Sequence, residues 1–159
     1  MPPYNSKMRS VLIQLADPAS ADVSILLQQL DAYLESLYPA ESNFLLSIDA
    51  LKQPQVTLLT ATVEGVVAGC GAYVNHGEYI EIKRMYVRPE FRGLKIGRRL
   101  LDALETRARA AGLRVARLET GVSQPQALNL YEKAGYKPRG PFGDYPADPL
   151  CVFMEKSLG

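Results

Sequence analysis

The sequence predicts a mixed α/β fold, a mostly antiparallel sheet flanked by helices, and three observations lead there. Runs of strand residues come first and adjoin one another through tight turns. They then give way to a strand-helix-strand-helix-strand order, which builds a mixed sheet with helices on its faces. The 159 residues are 47% hydrophobic with a net charge of +1, enough for one domain (1–159) with a proper core and too balanced for a general nucleic-acid coat.

Taken in order, Val11 to Leu15 is a short apolar run of strand character. After Asp17-Pro18 the apolar positions Val23, Leu26, Leu27, Leu30, Tyr33, Leu34 and Leu37 recur at helical spacing, so one face of a helix packs on the sheet. Asp31 and Glu35 lie off that stripe, and the helix has no basic face to meet a membrane. Tyr38-Pro39 ends it, and Glu41 to Lys52 reads as a second, shorter helix. Gln55 to Val63 and Val66 to Val74, around Glu64-Gly65, form a hairpin. Asn75-His76-Gly77 turns into a strand from Glu78 to Arg88. Gly93 to Ala111 is helical, with Ile96, Leu100, Leu101, Leu104, Ala108 and Ala111 on one face and Gly112 as its stop. Leu113 to Thr120 is a strand, and Pro125 to Ala134 is a helix with proline in its first turn and Gly135 past its end. Tyr136 opens another strand, GPFGDYPADP is a loop, and Leu150 to Lys156 closes the sheet.

Several function classes fall away on composition. Two cysteines, Cys70 and Cys151, make no disulfide framework or CxxC motif, which suggests a reducing, cytoplasmic setting. Both fall in strands and read as buried structural thiols rather than acyl carriers. Nothing in MPPYNSKMRS resembles a signal peptide, and no window approaches the about 18 apolar residues that span a bilayer. One histidine, His76, and two cysteines suit no usual zinc site, so no metal is expected.

Charge is concentrated in one place. Between Lys83 and Arg99 there are seven Lys/Arg and one acid, Glu90. There the chain runs from a strand through a loop with Gly93 and Gly97 into a helix. A helix start offers unpaired N–H groups and the positive end of a dipole. Glycine admits an anion close to backbone, and Arg92, Lys95 and Arg98 add full charges. On these residues alone the loop reads either as a pyrophosphate seat or as a solvated basic helix start. It is neither GxxxxGK[ST] nor GxGxxG. Only Tyr86 and Phe91 interleave with the basic residues, too few for a nucleic-acid surface.

RMYVRPEFRGLKIGRRLL, Arg84 to Leu101, resembles the acetyl-coenzyme A signature of the GNAT superfamily of N-acetyltransferases. The pattern Gln/Arg-x-x-Gly-x-Gly/Ala reads here Arg92-Gly93-Leu94-Lys95-Ile96-Gly97, with Lys95 where the pattern has glycine. NLYEKAGYK, Asn129 to Lys137, is similar to the superfamily's late Leu-Tyr-x-x-x-Gly-Phe/Tyr segment, and the strand LRVARLETG separates the two.

The resemblance, covering about Val11 to Leu158, implies a sheet splayed open between the fourth and fifth strands, Glu78 to Arg88 and Leu113 to Thr120. Acetyl-CoA is the implied acyl donor. Its pantetheine arm would extend the sheet near Met85, Tyr86 and Val87, and its pyrophosphate would rest on the amides of Arg92, Gly93, Leu94, Lys95, Ile96, Gly97 and Arg98. Gln124 stands where many relatives carry a pantetheine-binding asparagine, and Asn129 is a second candidate. An alkyl ammonium has a pKa near ~10.4, so a base must take its proton. The resemblance carries that role to Glu81, which has Lys83 two residues on along the same strand face and whose other reading is a cross-strand ion pair. The acid for the leaving thiolate falls on Tyr131, otherwise a packing aromatic, and a backbone N–H near Met85 to Val87 would hold the oxyanion.

The acceptor would lie among Asn43, Phe44, His76, Tyr79, Lys83, Asp144 and Tyr145. Lys83, Arg84 and Arg139 favour a small-molecule amine that also bears a carboxylate, such as an amino acid or related metabolite. Two alternatives stay open: a non-catalytic acyl-CoA sensor, and an enzyme acting on protein N-termini or lysines. Homodimers are common in the superfamily.

Overall fold

The computed structural model describes residues 10–44 and 46–159. MPPYNSKMR and Leu45, which enter the sequence reading above, lie outside them. Among the described residues seven strands form one sheet in the order β1-β2-β3-β4-β5-β7-β6. They are β1 Val11–Leu15, β2 Val56–Val63, β3 Val66–Asn75, β4 Ile80–Val87, β5 Val115–Gly121, β6 Lys137–Arg139 and β7 Cys151–Ser157. The helices are α1 Ala21–Leu37, α2 Ile48–Leu51, α3 Ile96–Ala110 and α4 Pro125–Lys133.

The first four strands are consecutive antiparallel neighbours. Glu64 and Gly65, both at positive φ (51° and 82°), make the tight turn that joins β2 to β3 with the twist a hairpin needs. Strand alternation sends neighbouring side chains to opposite cores. Leu58 joins Val23, Leu26, Leu27, Leu51, Cys70 and Ala72 under α1 and α2. Leu59 joins Ile80, Ile82, Leu100, Leu104, Leu118 and Met154 under α3. Ser20 caps α1, its side-chain oxygen accepting from Val23 N at 3.3 Å.

The one parallel pairing is also the shortest contact within the sheet's centre. β4 and β5 pair only at Ile80↔Ala116, Glu81↔Arg117 and Ile82↔Leu118, after which the strands part. An extra residue in β4 explains the parting. Ala72 faces Lys83 and Cys70 faces Tyr86, so Gly71 of β3 opposes both Arg84 and Met85 of β4, and Arg84 takes a left-handed φ of 58°. The bulge is secured by Arg84 itself, whose side chain is buried. Its guanidinium donates to Leu46 O at 2.9 Å and pairs with Asp31 of α1. The expected splay between the fourth and fifth strands is therefore present.

Two expected helices are shorter than periodicity suggested. Instead of a helix from Glu41 to Lys52 there is a 3-10 turn, Ala40–Ser42, and then the single turn of α2. Side chains from β4 take the carbonyls between them: Lys83 Nζ donates to Phe44 O at 2.8 Å and Arg84 to Leu46 O. Likewise α3 begins at Ile96 rather than Gly93, because Gly93 (φ 90°) and Lys95 (φ 58°) are left-handed. No described helix is long and apolar enough to cross a membrane.

Candidate active site and coenzyme groove

The fork between β4 and β5 opens onto a groove lined by Leu30, Tyr33, Met85, Tyr86, Val87, Arg92, Gly97, Gln124 to Ala127, Leu130 and Tyr131. Its floor is the unpaired end of β4, free to hydrogen-bond an extended ligand as a neighbouring strand would. At one end lies the start of α3, whose first turn has no acidic residue and no side-chain cap. Uncapped N–H groups at the positive end of a 15-residue helix are donors without an internal acceptor. A Cβ on Gly97 would come within 3.3 Å of Leu130 Cδ2, so glycine keeps that end of the groove open. These features fit a diphosphate on the backbone and a pantetheine arm along β4.

Lys95 accounts for the glycine of the superfamily pattern: this position is left-handed here, and a side chain there is strained by about 1–2 kcal/mol. Arg92 and Lys95 are exposed at the seat. Arg98 is less free than its charge suggested, since its guanidinium donates to Asp102 at 3.0 Å and to Lys133 O at 3.3 Å. Ile96 turns its side chain into the core. Gln124, at the start of α4, lines the groove, whereas Asn129 sits on the exposed face of that helix and does not.

At the fork's apex a second chamber adjoins the groove. It is bounded by Tyr38, Ser42, Asn43, Phe44, Ile82, Lys83, Met85, Glu119, Thr120, Gly121, Gln124 and Tyr131. Tyr131 is common to both spaces and packs edge-on to Tyr136 at 5.8 Å. Burial, then the nearby Glu119 charge, pushes its phenol well above the ordinary value, so it holds its proton across neutral pH. Tyr38 braces the chamber: its hydroxyl accepts from Ser123 N at 3.0 Å, and a Cβ on Gly121 would lie 1.8 Å from that oxygen.

Glu81 lies behind a wall. Its buried carboxylate accepts from the Tyr145 hydroxyl, meets His76 Nε2 at 3.0 Å, and has Lys83 Nζ at 3.6 Å. Lys83 also donates to Tyr145 Oη at 2.8 Å. Glu81 is thus ion-paired, but within its own strand and to the preceding turn rather than across to a neighbouring strand. Beyond the wall is an aromatic cavity lined by Phe44, His76, Tyr79, Glu81, Phe142, Asp144 and Tyr145. Phe142 packs edge-on against Tyr79 (5.6 Å) and Tyr145 (5.2 Å), and the Arg117 guanidinium lies 4.3 Å over Tyr79. The acceptor residues expected from sequence therefore divide: Asn43 and Lys83 face the chamber, His76, Tyr79, Asp144 and Tyr145 the cavity, and Phe44 both.

Two of the three cations expected to meet an acceptor carboxylate are spent elsewhere. Arg84 is buried on Asp31, and Arg139 Nη1 donates to Glu155 at 2.7 Å.

Glu119 escaped the sequence reading. Burial first, with the Glu81 and Asp148 charges adding and Lys83 opposing, raises its carboxyl from 4.5 to about 7. The signal was the alternation in VARLETG, which puts Val115, Arg117 and Glu119 on the face opposite Ala116, Leu118 and Thr120. Cys70 is buried as expected, but Cys151 is half-buried, its thiol bonded to Glu119 and pushed up to about 12 by desolvation and that charge. Among the described residues no group of three or more His, Cys, Asp or Glu is placed to hold a metal ion.

A splayed mixed sheet with an uncapped helix start at the mouth defines the architecture of an acyl-CoA-dependent acyltransferase. The chain belongs to the acetyltransferase (GNAT) family, whose model matches residues 24–136. It is 50% identical over 153 residues to an IAA acetyltransferase of Azospirillum brasilense, covering 95% of this chain and 100% of that one. A Klebsiella pneumoniae protein described as an acyl-CoA N-acyltransferase superposes with TM-score 0.82 at 37% identity, over 96% of this chain and 99% of the other. The PaiA N-acetyltransferase of Thermoplasma acidophilum, solved with coenzyme A, shares the fold at TM-score 0.71 and 18% identity, over 93% and 99% of the two chains. The protein is thus an acetyl-CoA-dependent N-acetyltransferase.

Proposed function

We propose that the protein transfers the acetyl group of acetyl-CoA to the primary amine of a small molecule by direct attack in a ternary complex. The observation that carries this reading is the fork itself, with a backbone-lined groove on one side and a polar chamber on the other, meeting at Tyr131. Acetyl-CoA supplies an activated thioester. Past Ile82 β4 has no β5 partner, so the strand edge at Met85 to Val87 offers N–H where the thioester oxygen would gain charge. Tyr131 holds the proton that a departing thiolate needs. The proton shed by the ammonium goes to a carboxylate beside the apex.

The chamber is acidic on balance, with Lys83 against Glu81 and Glu119, and this favours a cationic amine over an amino acid. The aromatic cavity supports an acceptor with an aromatic or apolar body, and the likeness to an IAA acetyltransferase supports a small-molecule one. The experiment is calorimetric titration with acetyl-CoA, coenzyme A and ATP, together with thiol release on phenethylamine, spermidine, glycine and a lysine peptide. Coenzyme-specific binding abolished by Gly97→Glu, and fastest release with phenethylamine, are the expected results. Turnover only on the peptide supports the protein-acetylating alternative, and binding without turnover supports the sensor.

A further inference from the structure

We propose that the carboxylate of Glu119, rather than that of Glu81, takes the proton from the acceptor amine, with Glu81 acting as a positioning residue that anchors the Lys83–Tyr145 wall beside it. The proposal rests on the acetyl-transfer reading above and refines it.

The backbone places Glu119 at the right point. Ile82↔Leu118 is the last rung between β4 and β5, so Glu119 is the first β5 residue past the pairing, at the apex where groove and chamber join. Tyr131, Lys83 and Asn43 line the same space. Glu81 lines the aromatic cavity instead, and its carboxylate already serves Tyr145, His76 and Lys83. A base must present a lone pair toward the substrate. Among the described residues Glu119 has a single side-chain bond, from the weakly donating Cys151 thiol, which leaves acceptor capacity for a substrate.

The surrounding charges suit the task. Around Glu119 stand Lys83 and Glu81 from β4, Asp148 from the loop before β7, Cys151 from β7, Tyr131 from α4, Tyr38 across the chamber, and Tyr145 on the cavity side of the wall. The phenols and the thiol are neutral at pH 7, so the live charges are two carboxylates and one ammonium. Together with burial they hold Glu119 at about 7, where a carboxylate is half available and far more basic than in water.

The step balances. The bound ammonium gives one proton to Glu119, and the neutral amine then forms the new N–C bond as the C–S bond breaks. Tyr131 protonates the departing thiolate, and the second nitrogen proton restores the phenol. Glu119 returns its proton to solvent.

The test compares Glu119→Gln and Glu81→Gln in the full chain, using acetyl-CoA and the fastest amine of the panel above. Glu119→Gln is expected to lower kcat by about 100-fold or more, to leave coenzyme A binding unchanged, and to abolish the acid limb of the kcat profile near pH 7. Glu81→Gln should keep that limb and move it to lower pH, since a negative neighbour is gone. Retention of the limb in Glu119→Gln and its loss in Glu81→Gln returns the role to Glu81 and overturns the proposal. Carbon-13 NMR titration of the glutamate carboxyls in the free protein needs no turnover. A Glu119 carboxyl titrating near 4.5 rejects the assignment while leaving acetyl transfer intact, whereas a wild type that turns over no amine defeats both.

Discussion

Replacing Glu119 by glutamine should stabilise the protein, and only at the pH where the enzyme works. The folded carboxyl is raised from 4.5 to about 7, so the unfolded chain gives up this proton first. Stability from this group is complete below about pH 4.5, falls as pH rises, and levels off above about 7. Each tenfold change in proton affinity is worth about 1.4 kcal/mol, so keeping an ionised Glu119 in the chamber costs roughly 3 kcal/mol near pH 8. Partial exposure at the chamber mouth screens this to roughly 2–3 kcal/mol. Glutamine keeps the shape and can still accept from Cys151 while removing the charge. At about 2–4 °C per kcal/mol for a chain of this size, Glu119→Gln should raise Tm by roughly 5–10 °C near pH 8. Near pH 5 most of the penalty is absent and the gain should shrink to about 1 kcal/mol or less. Thermal melts of both proteins across pH 5 to 8, with urea titration at each end, measure it. An equal gain at both ends, or none at pH 8, refutes the reasoning, because a burial penalty on a charge must vanish when the charge does. The effect would make Glu119 a group kept for activity at the expense of stability.

Other outcomes follow from particular contacts. Tyr131→Phe should lower kcat about 100-fold with little change in coenzyme A affinity, since the ring still packs on Tyr136; steady-state kinetics and calorimetry separate the two. Gly121→Ala forces Tyr38 out of its place and should cost about 1–3 kcal/mol in a urea midpoint, with loss of activity from a distorted chamber. Lys95→Gly relieves a left-handed side chain at some entropic cost, for a net gain of roughly 0.5 kcal/mol by the same assay.

Much of this was legible because it is local. The stripe Val23, Leu26, Leu27 and Leu30 is the buried face of α1, and the two strand runs around Glu64-Gly65 are the β2–β3 hairpin. Tyr33, read as part of that stripe, instead stands exposed on the groove, because the sheet below it has opened. Glu105 shows the same limit from the other side. It is buried beneath α3, accepting from Tyr136 Oη at 2.9 Å and Lys156 Nζ at 2.7 Å, partners 31 and 51 residues away that no helical periodicity foretells.

By itself the sequence determined the order of elements, the glycine-marked helix start, and the tyrosine after it, since turn chemistry, helix termini and side-chain period act over a few residues. Only the tertiary structure decided which carboxylate faces the apex. Glu81 and Glu119 are ordinary strand residues in the chain, and they diverge through what folding brings to each. Tyr145, His76 and Lys83 close around Glu81, while Glu119 comes to lie just past Leu118, the last rung before the sheet parts. Burial and neighbouring charge, the quantities that make an acid or a base, belong to that arrangement.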